Sequence, residues 1–382
     1  MAVAGLVILL AAFLLASAWA AGKLPAPTGP HRIGTRSLAL VDASRRELFQ
    51  KSAPRELMVQ FWYPSERGGK TAAYSPPADA KNKGDSFPRA IEVNASADAA
   101  VASEGAPFPI LIFSPEWDGR RWQNTALAEE LASHGFIVAG LDHPYASAFT
   151  RFPDGRTIVA AASLAVDFSS DAGYEKFLAN GEEQLQVRAR DVRFVLDEIE
   201  KLNGAGGWLH GRVDLRRAAV FGHSFGGAVA AEVCAQDARF RAGLDMDGCL
   251  FGAARTARVS QPFFFFNDDS KRPTPEQVAS DHSAKFLDRG FRDMDAFLQR
   301  NGGLQAAIRG ATHEDFTDAP FLSSRQSLFR GGRIKPARAL EIVRSCSLAF
   351  FEKYLNGKPS ALLEKNAAEF PEVALQNFPP PQ

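Results

Sequence analysis

The sequence predicts an α/β fold, with a mostly parallel central sheet flanked by helices, antiparallel strands at its N-terminal side and surface insertions between elements. Three observations carry this. Residues 108–113 (FPILIF) and 136–141 (FIVAGL) are unbroken apolar runs of the length that strands covered on both faces require. Segments with helical spacing alternate with such runs along the chain, which is the order a helix-covered parallel sheet produces. At residues 217–231 (RAAVFGHSFGGAVAA) an apolar strand passes through a glycine-flanked turn directly into a small-residue helix.

The bulk numbers agree with one large folded unit, assigned to residues 21–382. The chain has 382 residues and is 46% hydrophobic, enough to bury a substantial core. Its 44 basic residues balance its 44 acidic ones without a basic run, so nucleic acid is excluded as an expected partner. Residues 2–21 form one uncharged apolar stretch with an Ala18-Trp19-Ala20 cleavage signal. Residues 1–20 therefore read as a signal peptide, or as an N-terminal anchor if uncleaved, and the remainder as exported. Three cysteines, Cys234, Cys249 and Cys346, lie in apolar segments and suit buried thiols; only Cys234 with Cys249 is weighed as a bridge.

In chain order, residues 33–41 and 57–62 (LMVQFW) read as an opening antiparallel hairpin. Residues 63–106 lose periodicity and fill with Pro, Lys, Asp, Ala and Gly, the composition of a long surface excursion. The strand at 108–113 then delivers Ser114-Pro115-Glu116-Trp117-Asp118-Gly119 as a loop at its C-terminal end. A helix at 124–134 and the strand at 136–141 complete a β-α-β unit. Residues 146–181 read as a mixed insert, of which 171–178 is either a lid or plain surface. A helix at 182–202 follows, with Leu185, Ala189, Val192, Leu196 and Ile199 on its buried stripe and a charged, solvated opposite face.

After the elbow, 242–247 (AGLDMD) and 261–267 (QPFFFFN) read as strands, 275–300 as helical, 306–309 (AAIR) as the last strand and 337–354 as the closing helix. The stripe of Phe286, Leu287, Phe291, Met294, Phe297 and Leu298 either packs on the sheet or rests on a lipid surface; packing is the preferred reading.

The chemistry centres on Gly222-His223-Ser224-Phe225-Gly226. A G-x-S-x-G sequence between a strand and a helix forms a strained turn that projects the serine hydroxyl above the sheet, beside a helix N-terminus. Serine is a weak nucleophile at neutral pH and needs a histidine base, itself oriented by a carboxylate. His313, in a Gly/Thr turn after the last strand, is the expected base. His223 is the variable residue of the turn and is expected to be structural; His143 and His282 read as loop residues. The acid is open at this point among Asp245, Asp247, Asp268 and Asp269, because strand alternation points Asp245 and Asp247 the same way. The oxyanion would be held by the N–H of Phe225 and by a second N–H from the 115–119 loop, that of Trp117 or Glu116. Neither a metal nor an organic cofactor is required.

Taken together, GHSFGG, ARFRAGLDMDG, QPFFFFN, RGATHEDFTD and SLAFFEKYL resemble the secreted platelet-activating-factor acetylhydrolase family, of α/β-hydrolase fold. ASHGFIVAGLDHPYAS and QVRARDVRFVLDEI extend the similarity before the elbow, so that it covers about residues 108–355. The resemblance implies Ser224 as nucleophile, Asp247 as acid, His313 as base, and Phe225 and Trp117 as oxyanion donors. It also implies calcium-independent hydrolysis of short or oxidised acyl esters at the sn-2 position of phospholipids. The chain departs from the family at Pro115-Glu116, where relatives tend to carry His-Gly. General carboxylesterases, polyester or lactone hydrolases and acyltransferases share the same machinery.

Overall fold

Alternate residues of the central strands feed two separate apolar cores, which is why those segments are hydrophobic without a break. Leu111, Phe113, Phe221, Phe264 and Phe266 pack on one side of the sheet, and Ile110, Ile112, Val220, Phe263 and Phe265 on the other. The structure is a computed structural model in which residues 22–75, 91–322, 333–364 and 368–380 are described. The apolar leader at 2–21 lies outside the described residues. No helix among the described residues is long and apolar enough to cross a membrane.

The sheet begins with β1 (Arg32–Arg46), β2 (Pro54–Ser65), β3 (Thr71–Ala73) and β4 (Glu92–Ala97). Then come β5 (Phe108–Ser114), helix α1 (Thr125–Ser133) and β6 (Ile137–Asp142). A small hairpin of β7 (Phe149–Arg151) and β8 (Thr157–Val159) precedes helix α2 (Asp171–Asn203). The elbow joins β9 (Val213–His223) to α3 (Phe225–Gln236), followed by β10 (Phe240–Met246) and β11 (Phe263–Asn267). Helices α4 (Pro275–Ser280) and α5 (His282–Asn301), strand β12 (Gly303–Ile308), helix α6 (Pro336–Asn356) and strand β13 (Val373–Phe378) follow, with single helical turns at Ala319–Leu322 and Ala361–Glu364 on either side of α6.

Eleven strands form one sheet in the order β13-β12-β11-β10-β9-β5-β6-β2-β1-β4-β3. The six from β12 to β6 are parallel, and β13 and β2 flank them antiparallel. The opening hairpin pairs β1 with β2 as expected. The parallel strands all end on the side that carries the elbow, the edge at which α/β sheets build their sites.

Four expectations are corrected. The excursion at 63–106 is not wholly irregular: β4 runs parallel to β1 and β3 pairs with β4, their small alternating residues (EVNASA, TAA) giving too weak an apolar signal to read. Strand 306–309 is not the last, since β13 (VALQNF) adds an antiparallel edge in which Val373 and Leu375 are buried and the residues between and after them are exposed or half-buried. The helix expected from residue 182 begins at Asp171, capped by Ser170, whose side chain accepts the Gly173 N–H. Segment 171–178 is thus the first part of a 33-residue helix, and its Phe177 walls a cavity above the sheet. Gly181 had masked this continuity; a Cβ there would lie 2.4 Å from Phe251, so the glycine marks close packing and not a break. Finally, 275–300 is two helices divided at Asp281, which caps α5 by accepting the Ser283 N–H.

Helix α5 packs on the sheet. Met294, Phe297 and Leu298 are buried in the second core, while Phe286, Leu287 and Phe291 wall a cavity above the sheet.

Candidate active site

Ser224 sits between the last residue of β9 and the first of α3, with φ 55 and ψ −122. A non-glycine residue held there costs on the order of 1–3 kcal/mol, so the surroundings must impose it. They do so by close approach. A Cβ on Gly226 would lie 1.9 Å from the Ser114 carbonyl oxygen, and one on Gly227 only 1.7 Å from Asp245 Oδ1. The Ser224 N–H donates to the Met246 carbonyl at 2.7 Å, locking the turn to β10.

Strand β10 ends one residue before Asp247, whose φ of 60 swings its side chain out of the strand's alternation. Its Oδ2 lies 2.6 Å from His313 Nδ1, and its Oδ1 accepts the Asp268 N–H at 2.9 Å. The expectation that Asp245 and Asp247 point the same way is therefore wrong, because Asp247 has already left the strand. Asp245 is buried beneath the elbow, where Oδ1 accepts the Gly248 N–H at 2.8 Å, and burial holds its carboxyl well above the usual range. Asp268 turns its carboxylate to the Ser270 N–H, and Asp269 bridges Gly310 N–H and Lys271. Of the four carboxylates considered from the sequence, the one that meets the histidine is that of Asp247.

His313 opens a short turn capped by Thr312 and Asp315. Burial alone would lower its pKa, but the hydrogen-bonded Asp247 carboxylate, with Glu116 and Glu314 nearby, pushes it up to about 9. His223 lies against it, ring centroids 4.4 Å apart. His223 Nε2–H donates to the His313 carbonyl at 3.0 Å, so Nδ1 carries the lone pair and accepts the Gln123 amide at 3.2 Å. It is fully buried, and burial holds it neutral. The elbow histidine is thus a packing shelf for the His313 ring.

The loop after β5 is held from below by Arg188 of α2. One guanidinium nitrogen, Nη1, donates to the carbonyls of Pro115 (3.1 Å) and Glu116 (2.9 Å); the other, Nη2, to those of Trp117 (2.6 Å) and Ala146 (3.3 Å). The guanidinium also lies 4.9 Å from the centre of the Phe225 ring. Because a trans peptide sets N–H opposite C=O, holding the Glu116 carbonyl toward Arg188 turns the Trp117 N–H away from it. Phe225, first residue of α3, has an N–H with no intrahelical partner. Trp117 stands edge-on to Phe225 at 4.8 Å, its indole N–H donating to the Leu164 carbonyl.

Sequence reading missed this support. The charged face of α2 is not all solvated, since Arg188 and Asp191 are both fully buried. Their i, i+3 spacing within QVRARDVR was the available signal. His143, read as a loop residue, is fully buried too, with Nδ1 at 2.8 Å from Asp191 and Nε2 at 3.1 Å from Ser114 Oγ. Ser114, His143 and Asp191 are all fully buried and prop the strand end from which the 115–119 loop departs. Asp191 is in turn paired with Arg55 at 2.6 Å.

Ser224, Asp247, His313, Phe225 and Trp117 all line one cavity of about 370 Å³. Its remaining walls are mostly apolar, with Phe177, Phe251, Phe286, Phe291 and Met294 among them. The three cysteines are free thiols, so the Cys234–Cys249 bridge does not form. Cys234 packs at Gly243 of β10 and Cys249 at Gly290 of α5. Among the described residues, Glu116, His223 and His313 form a group that could hold a metal ion, their donor atoms within 4.8 Å of one another. His223 Nδ1 in that group already accepts from Gln123.

The family model described as platelet-activating factor acetylhydrolase, isoform II, matches residues 18–366. The chain is 26% identical over 370 residues to a platelet-activating factor acetylhydrolase of Cavia porcellus, covering 90% of this chain and 80% of that protein. It is 25% identical over 387 residues to a probable 1-alkyl-2-acetylglycerophosphocholine esterase of Arthroderma benhamiae, covering 92% of each. Among solved structures, the ferulic acid esterase of Streptomyces cinnamoneus superposes with a TM-score of 0.73 and 30% identity, over 94% of this chain and 100% of that one. With fold, serine turn and relatives in agreement, the chain belongs to the platelet-activating factor acetylhydrolase, isoform II, family and is an ester hydrolase of α/β-hydrolase fold.

Proposed function

We propose that Ser224, His313 and Asp247 cleave short or oxidised acyl esters, including those at the sn-2 position of phospholipids, through an acyl-enzyme. His313 Nε2 takes the Ser224 proton as Oγ attacks the ester carbonyl. The tetrahedral oxyanion is held by the N–H groups of Phe225 and Trp117, and the imidazolium returns its proton to the departing alcohol. Water, deprotonated by the same imidazole, then releases the acid. Asp247 fixes the Nδ1–H tautomer throughout and stabilises the imidazolium. The observation that carries the reading is the 2.6 Å bond between His313 and Asp247 at the rim of the cavity onto which Ser224 opens.

The substrate class rests on the cavity and on the relatives' names. A volume of about 370 Å³ is at the small end for ligand sites, and its phenylalanine walls suit a short apolar acyl group. The reading includes one domain over residues 21–382 and export directed by the leader at 1–20. A panel of p-nitrophenyl esters from acetate to palmitate, with a short-chain phospholipid, tests the assignment. Highest kcat/KM at two to four acyl carbons supports it, and a strong preference for palmitate contradicts it. Product analysis with an added acceptor alcohol separates hydrolysis from acyl transfer.

The clamp under the oxyanion loop yields a further expectation. In Arg188→Met the Pro115, Trp117 and Ala146 carbonyls lose their donor and the Glu116 carbonyl keeps only the Gly119 N–H, which loosens the direction of the Trp117 N–H, so kcat falls about 10²-fold or more while KM changes little. Leaving three carbonyls without that donor also costs about 3–5 kcal/mol of stability, readable by urea denaturation. Wild-type kcat in a folded Arg188→Met would contradict this role.

A further inference from the structure

We infer that Glu116 is a specificity-determining residue that sorts substrates by the charge of the leaving alcohol, favouring neutral and cationic alcohols and disfavouring anionic ones. This rests on the reading of His313 as the base. The position of the side chain is fixed from its own backbone, since the Glu116 carbonyl accepts from Arg188 at 2.9 Å and from the Gly119 N–H at 3.0 Å. From there Oε2 reaches to 4.0 Å from His313 Nε2 and 3.7 Å from His223 Nδ1.

His313 Nε2 is the atom that hands the proton to the leaving oxygen, because Nδ1 is committed to Asp247. The leaving oxygen must therefore come within about 3 Å of an atom that is itself 4.0 Å from the Glu116 carboxylate. Whatever that oxygen carries passes through the field of Glu116. His223 does not cancel this field, since it is neutral and turns a lone pair toward the carboxylate. The other charged groups around Glu116 are Glu314 and Asp118, which add to the negative potential, and Arg120, His313 and the buried Arg188, which oppose it. Glu116 is 30% exposed in its side chain, so its field is only partly screened by water. Burial first, then Glu314, raises its carboxyl pKa to about 7. The selection should therefore strengthen as pH rises through neutrality, where the carboxyl loses its proton.

Three acetate esters of similar shape provide the test: phenyl acetate, anionic 4-acetoxybenzoate and the cationic 4-acetoxy-N,N,N-trimethylanilinium ion. The readout is the cation-to-anion ratio of kcat/KM, so differences in intrinsic leaving-group reactivity cancel between protein variants. At pH 8 and low ionic strength, Glu116→Gln is expected to lower this ratio about tenfold, a change typical of one charge at partly screened range, and Glu116→Lys to lower it further. At pH 6 the wild-type ratio should approach that of Glu116→Gln. Equal ratios in wild type and the isosteric Glu116→Gln at pH 8 would overturn the inference while leaving the esterase reading intact. Failure of the wild type to turn over phenyl acetate would overturn both.

Discussion

Replacing Ser224 with alanine should lower kcat for a short acyl ester by about 10⁴- to 10⁶-fold without unfolding the protein. The size follows from removing the only atom that forms the covalent intermediate; what remains is binding and the oxyanion site, which alone retain a small rate over water. The fold should survive because the strained turn is imposed by backbone contacts that alanine keeps, notably the Ser224 N–H to the Met246 carbonyl and the fit of Gly226 against Ser114. Steady-state kinetics alongside a thermal melt check both halves. A melt within a few degrees of wild type combined with near-wild-type turnover would show that Oγ is not the nucleophile.

Asp247→Asn should lower kcat about 10⁴-fold and also move the pH profile, which a purely structural loss would not do. In wild type the base is active only when unprotonated, and its pKa is raised to about 9, so kcat/KM should climb with pH until that region. The hydrogen-bonded carboxylate of Asp247 is the main reason for the upward shift. With the neutral amide in its place the imidazolium loses its counter-charge and its pKa falls. The residual activity of Asp247→Asn should thus reach its plateau at lower pH than wild type. An unchanged acid limb in the variant would mean that Asp247 does not govern the base. Asp245→Asn serves as the contrast, since its carboxyl is buried against Gly227 and Gly248 and bonds the Gly248 N–H, while the His313 ring bonds Asp247.

How much of this could be read from the sequence depends on whether the signal was local. The central strands were legible because a strand buried on both faces must be apolar throughout, and the elbow because the close approach at Gly226 and Gly227 admits no Cβ. The outer strands β3, β4 and β13 were not, since short strands with few buried apolar residues have the composition of a loop. Helix α2 was truncated at Gly181 because nothing local shows that this glycine meets Phe251. The acid could not be separated from its neighbours by strand periodicity, as the decisive feature is the positive φ at Asp247, which takes it out of the strand. The least legible part was the support of the oxyanion loop. Arg188, His143 and Asp191 look like surface charges in sequence, and only long-range packing buries them together beneath Ser114 and Trp117.

The most direct test of the account is to map where a fluorophosphonate binds. The full chain is incubated with the probe, digested, and the modified peptide sequenced by mass spectrometry, in wild type and in His313→Ala. A single adduct is expected, on Ser224, formed in wild type and slowed by at least about 10²-fold in His313→Ala, since general-base help of that order is lost. An adduct on any other residue, or equal labelling rates in the two proteins, would contradict the claim that His313 activates Ser224.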